Sequence, residues 1–492
     1  MLKNTGNSFI IPFLTFYIII ICFFIIPFRV IEQGYLPSDD ALRHAAKVIS
    51  GKDWNEILVL SDKIKTDTHP GWHSILGLVQ KITHSDQISL VIFSVAALFF
   101  IFCFIPVFFL ELPQAWLMAL FTISLVNDSF IVRLFSGRPY LFTMSVLLVL
   151  SFLWPKLRDN KSPYRILCFI TLLIALSVWI HGSWYLFILP IICFFLAGER
   201  KAGILISIAS VIGILLGAIF TGHPYLFLRQ NIAQVLLVFG NNTPQRNLAL
   251  EFQPFTGDIL TVMIISGILF WLYASGRWDV KKIKNPLFIL AVLGWFLGFL
   301  SKRLWWDWGM PALCVWMALE FQEIFKRFFG KLSISRVIVV MVLAAAIYSV
   351  FTSDVHYRWR DRAAATSLDY NKPEHKKLLP EAGGIIYSDD MTVFYQTFFR
   401  NPHAPWRYIL GFEPSWMPPE DLKIFRNIQK SFFSDSSYAP WVNKMKPQDR
   451  LIVRRAKYEP PEISGLEWSY VPNMVWIGRL PRPSVSPSIK QQ

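Results

Sequence analysis

The side chains able to do chemistry fall in a few short stretches. Ser38-Asp39-Asp40 sets a pair of carboxylates just before the apolar stripe Ala41, Leu42, Ala45, Val48 and Ile49. Such a carboxylate can take a proton as general base or hold an attacking hydroxyl. The same residues also read as a helix N-cap with acid in the first turn. Asp67, His69 and His73 form a second group, in which two imidazoles four residues apart could share a metal on one helix face. Pro70-Gly71 between them equally marks a helix start, which would leave His69 outside the helix. Ser136-Gly137-Arg138-Pro139-Tyr140 offers a guanidinium fork suited to a phosphate. Its plainer reading is a snorkelling arginine before a helix-opening proline.

Three further stretches belong with these. Trp179-Ile180-His181-Gly182 puts a histidine between two closely spaced apolar runs, where an ionisable group either faces a site or hydrogen-bonds in the core. Lys302-Arg303-Leu304-Trp305-Trp306-Asp307 sets two cations among tryptophans. An interfacial aromatic belt accounts for the tryptophans and leaves the cations unexplained. Glu251-Phe252-Gln253-Pro254 holds one carboxylate in a loop with few other charges.

Composition fixes the solvent in which these groups work. The chain has 492 residues, 54% hydrophobic and 16% charged, with 43 Phe and 19 Trp. A soluble chain carries about 25% charged residues, so most of this one is dissolved in lipid. That excludes a soluble enzyme, a disordered chain and a secreted disulfide scaffold. The net charge of +15 fits basic cytoplasmic loops. Nucleic acid is not an expected partner, because no basic segment is interleaved with stacking aromatics. Cys22, Cys103, Cys168, Cys193 and Cys314 all lie in apolar runs, so no disulfide or zinc framework is read.

A crossing needs about 20 apolar residues. Runs of that kind lie at 9–28 and near 88–110, 115–132, 141–155, 164–181, 184–198, 203–220, 257–275, 286–301, 310–325 and 334–352, which predicts about eleven membrane helices. Lys and Arg concentrate in alternate loops, at 155–165, after 198, after 275 and after 325. The positive-inside rule makes that side, and the N-terminus, cytoplasmic. The outer side then receives 29–87, 133–140, 181–183, 221–256, 301–309 and everything after 353. The first outer loop is expected to form two membrane-surface helices, one stopped by Gly51 and one carrying Trp72, Ile75, Leu76, Val79 and Ile82. The tail reads as a small α/β domain, with strands at Gly384-Ile385-Ile386-Tyr387, 450–453 and 474–477 and helices over 391–399 and 419–432. The expected domains are a transmembrane domain over 1–352, an outer α/β domain over 353–480 and a disordered Pro/Ser-rich tail over 481–492.

In this order the motifs resemble those of GT-C superfamily membrane glycosyltransferases, and closer still a set of bacterial GT-C-like membrane proteins. The matching pieces are Asp39-Asp40 after the first span, Arg138-Pro139 opening one, Trp179-Ile180-His181-Gly182 ending one, Glu251-Phe252-Gln253-Pro254 before another, and Gly384 to Asp389 in the tail. The resemblance implies a mainly α, polytopic fold with an outer soluble domain in the bacterial inner membrane. It implies a polyprenyl-phosphate-linked sugar donor, a glycan or lipid acceptor, transfer on the outer face and inversion at the anomeric carbon. Asp40 or Asp39 would be the base or acceptor-positioner. No acceptor motif of oligosaccharyltransferase type is read in the tail, which sets a protein acceptor aside. Some members of the superfamily use a divalent cation, so a cation is left open here.

From the residue types, Arg138, His181, Arg303 and Lys302 are the expected contacts of the donor phosphate. His69, His73, Glu251 and Trp305 are the expected contacts of the acceptor. The alternatives are a polysaccharide polymerase, ligase or exporter, or a non-enzymatic membrane scaffold whose tail binds a partner.

Overall fold

The structure, a computed structural model, describes residues 7–239, 252–328, 334–360, 368–455, 459–471 and 475–481. Each apolar run read from the sequence is a helix. These are Asn7–Glu32, Gln87–Phe104, Gln114–Val126, Tyr140–Asp159, Tyr164–Ile180, Ile188–Leu196, Arg200–Phe220, Ile259–Ala274, Pro286–Gly298, Met310–Phe328 and Ile334–Thr352. Among the described residues, five helices are long and apolar enough to cross a membrane, or six if the bent pair Gln114–Val126 and Asp128–Leu134 forms one span. That pair meets at 119°. Asn127 makes the break, because its side chain accepts the Phe130 N–H and starts a new helix. Tyr164–Ile180, Trp184–Leu196, Ile259–Ala274 and Pro286–Gly298 are apolar but shorter. The chain is a multi-pass membrane protein.

The described residues fall into two compact units. The first holds residues up to Pro37, Thr66–Val238 and 252–360; the second holds Ser38–Lys65 and residues from Leu368 onward. Ser38–Lys65 thus belongs to the second unit although it lies between the first two long apolar helices in sequence. The tail expected at 481–492 lies outside the described residues, apart from Pro481.

In the first unit, glycine lets helices approach closely. Helix Arg200–Phe220 lies against Tyr164–Ile180, and a Cβ on Gly217 would sit 2.5 Å from the Ala175 carbonyl. A Cβ on Gly213 would sit 2.8 Å from the Thr171 carbonyl. Small residues four apart are a usual means of close helix packing in lipid. The basic loops tie to their neighbours: Lys201 Nζ donates to the carbonyls of Arg158 and Asn160 at 2.8 and 3.0 Å, and Lys282 pairs with Glu320. Helix Tyr140–Asp159 carries Arg158 at this end and Tyr140 about 30 Å away at the other.

The second unit is the small α/β domain expected of the tail. Its strands are β1 (Ile385–Ser388), β2 (Arg407–Tyr408), β3 (Arg450–Arg454), β4 (Glu467–Val471) and β5 (Val475–Arg479). They form one sheet in the order β2-β1-β3-β5-β4. β1 is parallel to both β2 and β3, and β5 is antiparallel to β3 and β4. Helices Met391–Arg400 and Pro419–Lys430 stand where the sequence puts them.

Helix Asp40–Ser50 packs on helix Met391–Arg400 and buries Ala41, Leu42 and Ala45 completely. Its apolar stripe is therefore covered by protein, where the sequence reading lays it on a membrane. The loop after it joins the sheet side of the unit, with Val59 N–H donating to the Tyr408 carbonyl at 2.9 Å. Helix Pro70–Thr83, in the first unit, also packs on protein at its start, since a Cβ on Gly71 would fall 2.6 Å from the Trp179 ring. Ile82 at its far end is 70% exposed.

Candidate functional site

A row of cationic and aromatic side chains occupies one end of the first unit's helices. It begins at Asp307, in the π-helical stretch Trp305–Gly309. A π-helical turn widens the backbone and is common at functional positions. The Asp307 carboxylate is fully buried and receives Arg133 in a two-point grip, at 2.8 Å from Nε and 2.6 Å from Nη2. Arg303 Nε lies 3.3 Å from the same carboxylate. The Arg303 Nη2 also reaches the Ser183 hydroxyl at 3.3 Å.

Tyr140 and His181 continue the row. The Arg303 guanidinium sits 4.7 Å over the Tyr140 ring, which meets the His181 ring edge-on at 4.9 Å. His181 in turn meets His69 edge-on at 5.0 Å. A guanidinium over a ring face is held by the ring quadrupole while its N–H edge stays usable. His181 Nδ1 accepts the Ser183 N–H at 3.3 Å, which directs Nε2 away from the turn. Gly182 is needed here because a Cβ would meet Asn231 Oδ1 at 2.7 Å.

Beyond His69, Asp67 closes the row. His69 takes the N-cap position of helix Pro70–Thr83 with φ −135 and ψ 42, so it lies outside the helix. Its Nδ1 meets the Thr68 hydroxyl at 2.8 Å, whereas His73 Nδ1 pairs with Asp67 Oδ2 at 2.5 Å. The two imidazoles do not share a helix face, and the donors do not converge on one point. Among the described residues no group of three or more His, Cys, Asp or Glu is arranged to hold a metal ion.

Burial alone would raise the Asp67 carboxyl. The charge and hydrogen bond of His73, with His69 beside it, outweigh burial and hold it well below the usual carboxylate range. A depressed folded-state value means that Asp67 stabilises the fold above its unfolded value, and that this is lost as pH falls through the depressed one. In detergent, the melting temperature of the wild type should therefore fall more steeply than that of Asp67→Asn once pH drops below about 4. Parallel curves for the two proteins would remove Asp67 from the acid response.

The row collects residues from segments far apart in sequence: 67–73, 133–140, 181–183 and 303–307. Of the expected site residues it brings together His69, His73, His181 and Arg303. Lys302 joins the same region through its backbone N–H, which donates to the Gln253 carbonyl at 2.9 Å. Trp305 is buried and stacks on Phe255, with ring centroids 6.3 Å apart, so it is a wall of the core. Arg138 is half-buried; its carbonyl accepts the Leu141 N–H at 3.0 Å as the helix opens. Glu251 lies outside the described residues. Arg133 and Gln230 were not among the expected site residues. Arg133 could have been suspected as a second cation at the end of the 115–132 run. Gln230, which holds the Thr66 backbone at 2.9 Å, carries no signal in the sequence.

The carboxylate pair lies in the second unit. Asp39 holds the N-cap position of helix Asp40–Ser50, but its side chain makes no capping hydrogen bond. Asp40 Oδ1 is held by Arg43 Nε at 2.7 Å and faces the Tyr395 hydroxyl at 3.4 Å. Arg43 is itself buried and lies 3.8 Å over the Phe412 ring. Asp40 keeps 24% of its side chain exposed.

No protein-family model matches this chain, and no curated protein matches it in sequence. Among solved structures, it is similar to the oligosaccharyltransferase of Archaeoglobus fulgidus in complex with zinc and sulfate. The two share 11% sequence identity at a TM-score of 0.46, over 88% of this chain and 68% of that one.

Proposed function

We propose that the chain is a membrane glycosyltransferase of GT-C type. It moves a sugar from a polyprenyl-phosphate-linked donor to a glycan or lipid acceptor on the outer face of the bacterial inner membrane. The observation that carries this reading is the Arg303–Tyr140–His181–His69 row at one end of the apolar helices. Cations and ring N–H groups at a membrane boundary are the partners that an anionic lipid headgroup selects. The segments that form the row are those that the charge bias of the loops assigns to the outer side.

In this reading Arg303 and His181, with Arg138 and Lys302, hold the donor phosphate. The acceptor hydroxyl attacks the anomeric carbon, the bond from that carbon to the phosphate oxygen breaks, and the phosphate leaves with the electron pair. Asp40 takes the proton from the attacking hydroxyl, with Asp39 the alternative at the same turn. His69 and His73 bound the acceptor side. The fixed guanidinium of Arg303 opposes the charge that grows on the leaving phosphate.

The test is transfer by the purified full-length protein from polyprenyl-phosphate-linked sugars, alongside mass spectrometry of surface glycans and lipids with and without the protein. Arg303→Ala should lower transfer by about 10²-fold, and Arg303→Lys by less, because Lys keeps the charge and loses the fork. Glycans and lipids unchanged by loss of the protein would overturn the reading.

A further inference from the structure

Helix Pro224–Phe239, in the first unit, is amphipathic the wrong way round for a helix packed on an apolar core. Its inward face carries amides: Gln230 and Asn231 are 8% and 4% exposed. Gln230 holds Thr66 at both the backbone N–H, at 3.3 Å, and the carbonyl, at 2.9 Å. Asn231 Oδ1 stands where a Cβ on Gly182 would fall. The outward face carries Tyr225, Leu228, Arg229, Ile232, Ala233 and Leu236, which line one groove of about 370 Å³. Their spacing of three and four residues is the stripe that a helix turns toward its apolar cover. Here Tyr225, Ile232 and Leu236 are instead exposed.

Three observations name lipid as the cover. The first is continuity with surface that already faces lipid. Only the turn at 221–223 separates this helix from Arg200–Phe220, which ends with Leu215, Ile219 and Phe220 exposed. The membrane helix Ile259–Ala274 opens with Ile259, Leu260 and Met263 exposed. The second is level. Gly182 lies just past the end of helix Tyr164–Ile180, and Thr66 lies just before helix Pro70–Thr83. A helix gripping both runs across the ends of its neighbours, and its 16 residues span about 24 Å, short of the hydrocarbon core of about 30 Å. The third is charge. Arg229 is exposed within the stripe, and a guanidinium lays its stem on apolar surface while its head reaches a lipid phosphate. Arg229 and Tyr225 together fit the boundary between acyl chains and headgroups, where the bilayer midplane would leave the cation unpaired.

We propose that helix Pro224–Phe239 lies flat in the outer leaflet, with its apolar stripe among the acyl chains and Arg229 at the phospholipid phosphates. Its inward face holds Thr66, next to Asp67, and abuts Gly182, next to His181. The bilayer thereby sets the level at which the Arg303–Tyr140–His181–His69 row stands. The inference goes beyond the glycosyltransferase reading and does not need it: an inactive protein leaves the lipid contact standing, and a helix facing water leaves the transfer reading standing.

The test is spin labelling of the full-length protein in vesicles of phosphatidylethanolamine and phosphatidylglycerol. Single labels go on Tyr225→Cys, Ile232→Cys and Leu236→Cys in a Cys168→Ser background, because Cys168 is the exposed one of the five cysteines. Melting temperature checks that each labelled protein is folded. All three labels should be relaxed more by oxygen than by a water-soluble nickel chelate, at a depth of about 5–10 Å into the boundary region. A label at Lys430→Cys, on the exposed surface of the second unit, should show the opposite preference. The three depths should agree, whereas a helix running along the membrane normal would spread them by about 16 Å. Preference for nickel would put the stripe in water and overturn the proposal. Shielding from both reagents would overturn it too, assigning the stripe to residues 240–251 or, where the labels of two copies broaden each other, to a second copy of the chain. Depths spread along the helix would also overturn it, making the segment part of a crossing.

Discussion

Replacing Asp307 by alanine is expected to cost the fold about 3–5 kcal/mol, the usual result of leaving a buried charge without its partner. Asp307 is wholly buried, and Arg133, 7% exposed, grips both of its oxygens. Arg303 approaches the same carboxylate at 3.3 Å. Removing the carboxylate therefore strands one buried guanidinium and releases the one that stands over Tyr140. Asp307→Asn keeps a neutral oxygen for one arginine N–H and should cost less. The double variant Arg133→Met with Asp307→Leu should recover much of the loss, because an apolar pair of similar volume needs no counter-charge. Fluorescence-detected melting in detergent gives the order: wild type, the double variant, Asp307→Asn, then Asp307→Ala lowest. An Asp307→Ala protein that melts with the wild type would show that the carboxylate does not hold the row together.

The sequence shows the helices because lipid imposes a simple rule on them. A segment in hydrocarbon must satisfy its backbone internally, so a long apolar run becomes a helix. What it withholds is the pairing between runs. Arg133 and Asp307 stand 174 positions apart, and nothing in the sequence announces that they meet. His181 and Arg303 stood out as ionisable residues against an apolar background. Tyr140 did not stand out, because a tyrosine opening a membrane helix is ordinary. The stripe Ala41, Leu42 and Ala45 correctly demands a cover, but a stripe does not name its cover, and helix Met391–Arg400 supplies it in place of lipid. In the tail, β1 and β3 are buried and read as apolar runs. β2 has only two residues, and β4 at the sheet edge shows no clean alternation, so both escape a periodicity reading.

The carboxylate pair separates a cap from a catalytic acid. A cap would show in the Asp39 side chain, which makes no capping hydrogen bond. Asp40 is different: Arg43 Nε fixes one of its oxygens, and Arg43 is pressed on Phe412. If Asp40 is the base, Asp40→Asn should lower transfer by about 10²–10⁴-fold. The amide still offers an oxygen to Arg43 and to the Tyr395 hydroxyl, so the folded protein should persist. Two readouts keep the chemical role apart from a structural one. The wild-type rate should rise with pH along an acid limb that Asp40→Asn lacks, since only a titrating base creates that limb. Tyr395→Phe, which removes one neighbour of Asp40 Oδ1 and no charge, should keep the limb and lose less than about tenfold. If Asp40→Asn keeps both the rate and the limb, Asp40 serves only to neutralise Arg43, and the base must be sought at Asp39. If Asp40→Asn loses rate and melting temperature together, and detergent-stable protein retains the limb, the loss belongs to folding. Only a folded Asp40→Asn protein without the limb places the proton transfer on this carboxylate.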